Sequence, residues 1–252
     1  MKSLLRTLLK ILLKKFNFYL TRTDPEKLNT DKRNASIIEA VKPYTMTTPA
    51  NVNALIEAVR YIVDNHIDGA IVECGVWKGG SSIAAALTLQ ELGIDDRDIY
   101  LYDTFSGMPA PTDSDVSVSG IKAESKFLET KTSDDSSTWV LSSLNEVKEN
   151  FSITNYPKEK VHFIKGKVEE TIPDKIPQEI ALLRLDTDWY KSTKHEMIYL
   201  FPLLKKNGIL IIDDYGSWQG AKQAIDEYIL ENNICIFLCY VTKGARIAIK
   251  TN

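Results

Sequence analysis

Two pairs of aspartates follow two apolar segments of the chain. Asp186 and Asp188 come after the run ALLRL, and Asp213 and Asp214 come directly after GILII. Apolar runs of this length, bounded by polar residues, are typical of strands buried on both faces of a parallel sheet. The carboxyl ends of such strands meet at the edge where open α/β sheets bind their ligands. We therefore expect the four carboxylates to converge on one rim of the sheet.

These four carboxylates would repel one another unless a cation or shared protons compensated their charge. An all-oxygen set of this kind suits a hard ion, so the pattern favours a Mg²⁺ site. Two other interpretations remain open. Asp213 and Asp214 could cap the helix that follows them, and Asp188 could pair at the surface with Lys191 or Lys194.

A glycine-rich turn follows an earlier apolar segment, in the sequence VECGVWKGGSS. Its glycines let the backbone approach a ligand closely, and the next helix offers unpaired N–H groups. The following strand ends at Asp103, where an acid suits the ribose hydroxyls of a nucleoside cofactor. A dinucleotide fingerprint would need glycine in place of Trp77, and Glu73 would repel a phosphate but favour a cation. The turn therefore indicates a cationic nucleoside cofactor, S-adenosylmethionine.

The order of segments indicates one α/β domain that positions these residues. Short apolar strands alternate with amphipathic helices, which is typical of a doubly wound, mostly parallel sheet with helices on both faces. The last two strands, ICIFLCYV and ARIAIK, are expected to form an antiparallel edge. Residues 106–138 are rich in Ser, Thr, Asp, Gly and Pro without a sustained period, which favours a lid-like insertion.

Composition narrows the class of partner. The 252 residues carry a formal net charge of -3, and no basic patch stands out in the body of the chain, which argues against nucleic acid and favours a small-molecule ligand. Cys74, Cys235 and Cys239 lie in apolar runs without Cys-x-x-Cys spacing. We therefore expect three buried thiols in a reducing, cytoplasmic setting.

The first 22 residues form a basic amphipathic stripe. They contain no acid, and Lys2, Arg6, Lys10 and Lys14 stand four apart, opposite a row of leucines. The segment is too interrupted by charge to span a bilayer. Two partners remain open: the leucines pack on protein, either this domain or a second copy in a homo-oligomer, or the stripe lies on the inner membrane surface. We expect residues 1–42 to form an N-terminal helical extension and residues 43–252 the main domain.

Five motifs together resemble the macrocin O-methyltransferase (TylF) family, within the class I S-adenosylmethionine-dependent methyltransferases. They are YTMTTP, VECGVWKGGSS, LYDTFSGMPAP, LRLDTDWYKST and GILIIDDYG, in consistent order between residues 44 and 231. The resemblance implies a Rossmann-like fold and Mg²⁺-dependent methylation of a hydroxyl, typically on a deoxysugar of a natural product or on a surface glycan. It is silent about the basic N-terminal stripe and about the residues beyond Tyr240.

The resemblance also implies roles for individual residues. Asp186, Asp213 and Asp214 match the metal ligands of the family, and Asp188, beside Asp186, is the candidate general base. The expected cofactor site consists of Thr45, Met46, Glu73, Gly75, Gly79, Ser81, Asp103, Phe105, Glu169 and Asp186.

Within that site, the residues fall on different parts of the cofactor. Glu73 and Gly75 match the loop at its methionine end, and Asp103 matches the acid that binds the ribose. Thr45 and Met46 match the segment that closes over the cofactor, and Glu169 lies near the position that contacts the adenine.

Other interpretations stay open beside this one. A methyltransferase of the same fold could act on a phenolic, lipid or other small-molecule hydroxyl, because a fold does not fix its substrate. A non-enzymatic module would lack the carboxylates, which are all present. Trp77, Trp189 and Tyr215 could stack on a sugar ring or simply pack beside the sheet. His195 could contribute to catalysis, although a helix that begins near Ser192 would turn it elsewhere.

Overall fold

A computed structural model describes residues 32–251 of the chain. The basic stripe predicted for residues 1–22 lies outside the described residues, as does part of the N-terminal extension. The described range belongs to one compact unit, in which a seven-stranded sheet forms the centre.

The strands of the described residues carry the labels used below. They are β1 (Ala70–Cys74), β2 (Ile99–Asp103), β3 (Lys131–Ser133), β4 (Ser136–Ser137), β5 (Val161–Lys165), β6 (Ile180–Leu185), β7 (Leu204–Ile212), β8 (Cys239–Tyr240) and β9 (Arg246–Ile249). The order in the main sheet is β5-β2-β1-β6-β7-β9-β8, and β3 pairs with β4 in a separate hairpin. The strands from β5 to β7 in that order are parallel, whereas β9 is antiparallel to both β7 and β8.

The helices of the described residues lie on both faces of this sheet. They are α1 (Lys32–Val41), α2 (Pro49–Asp64), α3 (Gly80–Glu91), α4 (Ala123–Thr130), α5 (Leu144–Phe151), α6 (Val168–Thr171), α7 (Tyr190–Tyr199) and α8 (Gln219–Glu231). Short 3₁₀ turns lie at Lys42–Tyr44, Lys158–Lys160 and Phe201–Leu203.

Alternation along the central strands produces two hydrophobic cores. Ile71 and Leu182 face the layer of α1, α2, α3 and α5, while Val72 and Leu183 face the layer of α6, α7 and α8. Every residue of β1 and β6 is buried, as expected for strands covered by helices on both faces. The predicted α/β fold, with a mostly parallel sheet and an antiparallel edge, is confirmed.

The antiparallel edge is shorter than its apolar sequence predicts. Only Cys239–Tyr240 of the segment ICIFLCYV forms a strand. Ile234, Ile236 and Leu238 pack against the core, whereas the side chains between them point outward. As a result, Cys235 and Cys239 are exposed, and the prediction of three buried thiols holds only for Cys74. Alternation at a sheet edge buries one face only, which composition alone does not show.

Two other segments differ from the sequence-based expectation. The insertion at residues 106–138, in which the sequence shows no sustained period, contains two regular elements, α4 and the β3–β4 hairpin. Phe127 of α4 is buried and gives the insertion an apolar anchor. In the N-terminal extension, α1 places Ile37 and Val41 in the hydrophobic core, so the compact domain includes this helix and begins earlier than residue 43.

Candidate functional site

A cavity of about 250 Å³ opens at the carboxyl edge of the sheet. The loops after β1, β2, β5, β6 and β7 contribute to its wall, together with the segment Tyr44–Thr47 that precedes α2. Most of the residues predicted from the sequence line this cavity: Thr45, Met46, Glu73, Gly75, Ser81, Asp103, Glu169, Asp186, Asp188, Asp213 and Asp214. The four aspartates therefore meet at one rim, as the strand ends predict.

The glycine-rich turn fits closely between neighbouring segments. Gly75 has φ +84°, and a Cβ at this position would lie 2.0 Å from the backbone oxygen of Asp186. Gly80, the first residue of α3, leaves room for the Tyr44–Thr47 segment, because an added Cβ would lie 2.6 Å from the backbone oxygen of Tyr44. These glycines bring the cavity loops together at the N-terminus of α3.

Asp103 fixes the same turn from the end of β2. One carboxylate oxygen accepts hydrogen bonds from the backbone N–H of Val76 at 2.7 Å and of Trp77 at 3.0 Å. The other accepts from the backbone N–H of Phe105 at 2.7 Å. Burial raises the pKa of Asp103, and these backbone N–H groups oppose that rise. The residue predicted to bind a ribose thus also holds the loops that form the cavity.

Arg184 brings positive charge into the centre of the carboxylates, and the sequence interpretation missed it. Its side chain is only 3% exposed, and Nη1 donates to Glu73 Oε1 and to Asp186 Oδ2, both at 2.7 Å. Nη2 lies 3.1 Å from Asp213 Oδ1. A charged residue within the otherwise apolar strand IALLRL is the signal that could have identified it, because buried charges need partners.

Glu73 is already paired on both sides in this arrangement. Besides Arg184, its carboxylate accepts a hydrogen bond from Ser82 of α3. Burial raises the pKa of Glu73, while the charge of Arg184 lowers it. Glu73 therefore connects β1 to α3 and to β6, which makes it a structural residue of the cavity wall whatever it contacts in the cofactor.

Asp186, Asp213 and Asp214 form a cluster whose ligand oxygens lie within 4.8 Å of one another. Burial raises the pKa of Asp186 well above its usual range; Arg184 opposes this rise, and the neighbouring aspartates add to it. Burial also raises the pKa of Asp214, and Asp188 and Asp213 add to that rise. One guanidinium thus does not balance the whole cluster.

Two buried oxygens, one within the cluster and one beside it, have no hydrogen-bond partner within residues 32–251. They are Asp214 Oδ2 and Asn51 Oδ1, and the amide nitrogen of Asn51 donates to Asp213 Oδ1 at 3.2 Å. Unpaired buried oxygens next to excess negative charge are the donor set that a hard divalent cation requires. The residues present therefore fit Mg²⁺.

Asp188 lies on the cavity wall in an unusual backbone conformation. Its φ is +66°, in the left-handed region that is uncommon for residues other than glycine. Burial raises the pKa of Asp188 to about 7, with a further contribution from Asp186, while hydrogen bonds from Asp214 and Trp218 oppose the rise. A pKa near neutrality suits a group that takes up a proton during a reaction.

Two further cavity residues are in left-handed conformations. Trp77 has φ +48° and Val140 has φ +53°. Such conformations in non-glycine residues tend to cluster at functional sites, where the surrounding structure holds them. Their position around this cavity agrees with the carboxylates in marking it as the functional centre.

Some predicted residues lie just outside the cavity. Gly79 is the N-cap of α3, and the side chain of Phe105 is buried in the core. Trp189 is buried against Trp139 and Trp218, so it packs and does not line the cavity. His195 contacts the backbone oxygen of Ile172 at 3.0 Å and is turned away, as the start of its helix suggested.

The structure also decides between the alternative roles of the aspartates. The N-cap of α8 is Trp218, and no side chain caps that helix, so Asp213 and Asp214 do not cap it. Lys194 pairs with Glu227 and Glu231 and not with Asp188, and the exposed Lys191 forms no ion pair with Asp188 within residues 32–251. The carboxylates are thus left facing the cavity.

Glu196 is a buried acid that the sequence interpretation also missed. It is fully buried, and its Oε1 accepts a hydrogen bond from Thr187 Oγ1 at 2.9 Å. Burial raises its pKa well above the usual range, and the hydrogen bond from Thr187 opposes this rise. Glu196, which lies on α7, therefore supports the turn between Asp186 and Asp188 through its hydrogen bond with Thr187.

Comparison with known proteins places the chain in a family. The family model "Macrocin-O-methyltransferase (TylF)" matches residues 3–243. Demethyldecarbamoylnovobiocin O-methyltransferase of Streptomyces niveus is 31% identical over 211 residues, covering 79% of this chain and 76% of that protein. Mycinamicin III 3''-O-methyltransferase of Micromonospora griseorubida is 31% identical over 185 residues, covering 73% of this chain and 70% of that protein.

A solved structure agrees with these matches. The O-methyltransferase NovP aligns with a TM-score of 0.73 and 26% sequence identity, over 83% of each chain. The resemblance expected from the five sequence motifs is thereby confirmed. The chain belongs to the macrocin O-methyltransferase (TylF) family and is an S-adenosylmethionine-dependent O-methyltransferase.

Proposed function

We propose that this enzyme transfers a methyl group from S-adenosylmethionine to a hydroxyl of a sugar or glycan, and that the reaction depends on Mg²⁺. The observation that carries the proposal is the meeting of Asp188 with the cluster of Asp186, Asp213 and Asp214 in the cavity that also contains the glycine-rich turn. An acceptor site and a cofactor site must adjoin in this way for direct methyl transfer.

In this proposal the cofactor occupies the side of the cavity nearest to α3. Asp103 binds the ribose hydroxyls, Glu73 and Gly75 adjoin the methionine end, and Glu169 lies near the adenine. Thr45 and Met46 close over the cofactor. The support for this assignment is that all of these residues line one cavity beside the N-terminus of α3.

Asp186, Asp213 and Asp214 would hold Mg²⁺ in this proposal. When bound, the ion would lower the pKa of the acceptor hydroxyl and fix its direction towards the methyl group. Arg184 contacts Asp186 and Asp213, and Asn51 contacts Asp213, so these two side chains would hold the carboxylates in position around the ion.

Asp188 is the proposed general base. The acceptor oxygen forms a bond to the methyl carbon as the carbon–sulfur bond breaks, and that electron pair stays on the sulfur of S-adenosylhomocysteine. The hydroxyl proton passes to the Asp188 carboxylate, which lines the same cavity as the cation cluster.

A sugar acceptor is proposed from the relatives. One acts, by its name, on a 2,3-dimethoxy-α-L-rhamnosyl group of a tetracenomycin, and it is 30% identical over 186 residues. The insertion contributes Gly107, Met108 and Pro109 to the cavity wall, which supports a contact between its first residues and an acceptor. We propose that the insertion acts as a lid over that acceptor.

Removal and return of the metal tests the proposed function. Exhaustive dialysis against EDTA should abolish methyl transfer to a glycosylated acceptor while S-adenosylmethionine still binds in a calorimetric titration. Mg²⁺ should then restore turnover. Full activity in EDTA would overturn the metal requirement, and methylation of phenols or lipids in preference to sugars would overturn the acceptor class.

A further inference from the structure

Arg184 contacts residues on two sides of the cavity, the cation cluster and the side that we assign to the cofactor. Its Nη1 contacts Asp186 of the cation cluster and Glu73 of the glycine-rich turn, each at 2.7 Å. Its Nη2 donates to Thr47 Oγ1 at 3.1 Å and lies 3.1 Å from Asp213 Oδ1. One planar guanidinium, 3% exposed, thus joins two cation-cluster residues to two residues on the cofactor side.

Thr47 belongs to the segment Tyr44–Thr47, which lines the side of the cavity that we assign to the cofactor. Tyr44, Thr45, Met46 and Thr47 all line the cavity, and the segment passes directly over the N-terminus of α3 at Gly80. The backbone N–H of Thr47 also donates to Thr45 Oγ1 at 3.0 Å. A change in the hydrogen bond from Arg184 to Thr47 therefore acts on the whole segment.

The guanidinium cannot serve all of its partners independently. Its donors lie in a fixed fork, and the group is charged at every accessible pH. A divalent cation at Asp186 and Asp213 would take up part of their negative charge and weaken their attraction for Arg184. The guanidinium would then donate more strongly to Glu73 and Thr47, and so hold the Tyr44–Thr47 segment over the cofactor.

We propose that Arg184 couples the two binding sites, so that Mg²⁺ tightens the binding of S-adenosylmethionine and the cofactor tightens the binding of Mg²⁺ by the same factor. This proposal rests on the proposed function, because it takes Asp186, Asp213 and Asp214 as the cation site. Equality of the two factors follows from thermodynamic linkage. Arg184 acts here as a positioning residue, through the groups that contact each ligand.

Calorimetric titration of the full chain tests the coupling without any turnover. S-adenosylmethionine is titrated into metal-free protein and into protein saturated with Mg²⁺, and Mg²⁺ is titrated with and without the cofactor. For the unaltered chain we expect each ligand to bind at least about fivefold more tightly when the other is present, at the lower end of the usual range for coupled sites.

Thr47→Val is the decisive variant, since it replaces the hydroxyl by a methyl of similar size at a half-buried position. We expect both ligands still to bind to this variant. Each ligand should tighten the binding of the other by less than about twofold, compared with at least about fivefold in the unaltered chain. Thr88→Val is the matched control, because the Thr88 hydroxyl is buried but donates to the backbone oxygen of Ala84 within α3 and does not line the cavity. This control should keep the coupling of the unaltered chain.

Arg184→Lys provides a second variant, because one ammonium group cannot reach four oxygens in the geometry of the fork. It should lose the coupling if it folds, and Thr47→Val decides the matter if it does not. Coupling that is unchanged in Thr47→Val would overturn the proposal, as would independent binding of the two ligands in the unaltered chain. Failure to bind Mg²⁺ at all would instead overturn the proposed function.

Discussion

Individual side chains of the cavity have partners in the protein that a bound ligand must share. Asp103 is the clearest example, since its two carboxylate oxygens accept three backbone hydrogen bonds from the loops after β1 and β2. Binding a ribose would use the remaining lone pairs of a group that is already fixed in place. Such a residue contributes to affinity both by contact and by preorganising the turn.

Asp103→Ala should therefore weaken S-adenosylmethionine binding and also loosen the turn. The loss of a hydrogen bond to a charged group predicts about 1 to 3 kcal/mol in a calorimetric titration. Thermal unfolding should show a lower Tm as well, because the N–H groups of Val76 and Trp77 lose their acceptor. Asp103→Asn retains one acceptor oxygen. Its cofactor affinity and its Tm should lie between those of the unaltered protein and those of the alanine variant. An unchanged cofactor affinity in the alanine variant would rule out the ribose assignment.

Asp188→Asn should separate chemistry from binding. The amide cannot take up a proton, so single-turnover methylation should slow by about 10²- to 10⁴-fold, the usual contribution of a general base. Mg²⁺ affinity should stay near that of the unaltered enzyme. Asp214→Asn is the matched comparison and should raise the Mg²⁺ concentration needed for activity. Normal turnover by Asp188→Asn would remove this residue as the base.

The aspartates could be located from the sequence because strand ends and carboxylates are both visible in it. Arg184 could not be assigned in the same way, because its partners Glu73 and Asp213 are distant in sequence and meet it only in the folded sheet. Glu196 was hidden for a related reason. A glutamate on a helix usually faces solvent, and only the packing of α7 shows that this one is buried.

Among the secondary-structure elements, the turn between β6 and α7 carries Asp186, Thr187 and Asp188. Helix α7 supports it from one side through Glu196, and the backbone N–H of Trp189 donates to the backbone oxygen of Thr187 at 2.7 Å. Because Glu196 Oε2 is buried without a hydrogen-bond partner within the described range, the neutral acid is the form that suits this position.

Glu196→Gln should stabilise the protein, increasingly so as the pH rises. The folded pKa of Glu196 is raised above its unfolded value of about 4.5, so the stability present below pH 4.5 is lost as the pH rises towards the folded pKa. Glutamine avoids this loss, which amounts to about 1.4 kcal/mol for each unit of the pKa difference. Thermal unfolding at pH 5 and pH 8 measures the effect. A larger gain at pH 5 than at pH 8 would contradict it.

The regular elements were predictable where their hydrophobic period was complete. The strands β1 and β6 are buried throughout and read directly from their apolar runs. The insertion was harder, because only Ala123 and Phe127 of α4 are buried, which is too few apolar contacts to give a clear helical period. For residues 234–241 the prediction was wrong in the other way, because too much regular structure was expected. Their apolar composition matches an interior strand, although half of the side chains are exposed.

For the whole molecule, charge is divided unevenly along the chain. The first 22 residues contain six basic residues and no acid, so the remaining 25 basic and 34 acidic residues give the rest of the chain a charge of -9. No helix within residues 32–251 combines the length and apolarity that a membrane span requires. The N-terminal stripe and the rest of the chain therefore carry net charges of opposite sign.

Deletion of residues 1–22 should leave cofactor binding intact but change association. We expect calorimetry to give the same affinity for S-adenosylmethionine, because every predicted cofactor residue lies beyond this segment. Co-sedimentation with anionic vesicles should fall if the stripe contacts membrane, and the elution volume in size-exclusion chromatography should change if it joins subunits. Charge-neutral vesicles serve as the control. If neither association changes, the stripe packs within its own domain.

The left-handed residues Trp77, Val140 and Asp188 have a consequence for how this enzyme can evolve. Each holds a backbone conformation that costs about 1 to 2 kcal/mol outside glycine, and Val140 is β-branched, which makes that conformation rarer still. Selection for heat resistance alone would favour glycine at these positions, and so would loosen the wall that orients the reactants. Where such a selection does replace these three residues, the gain in stability should come with a loss of catalytic rate.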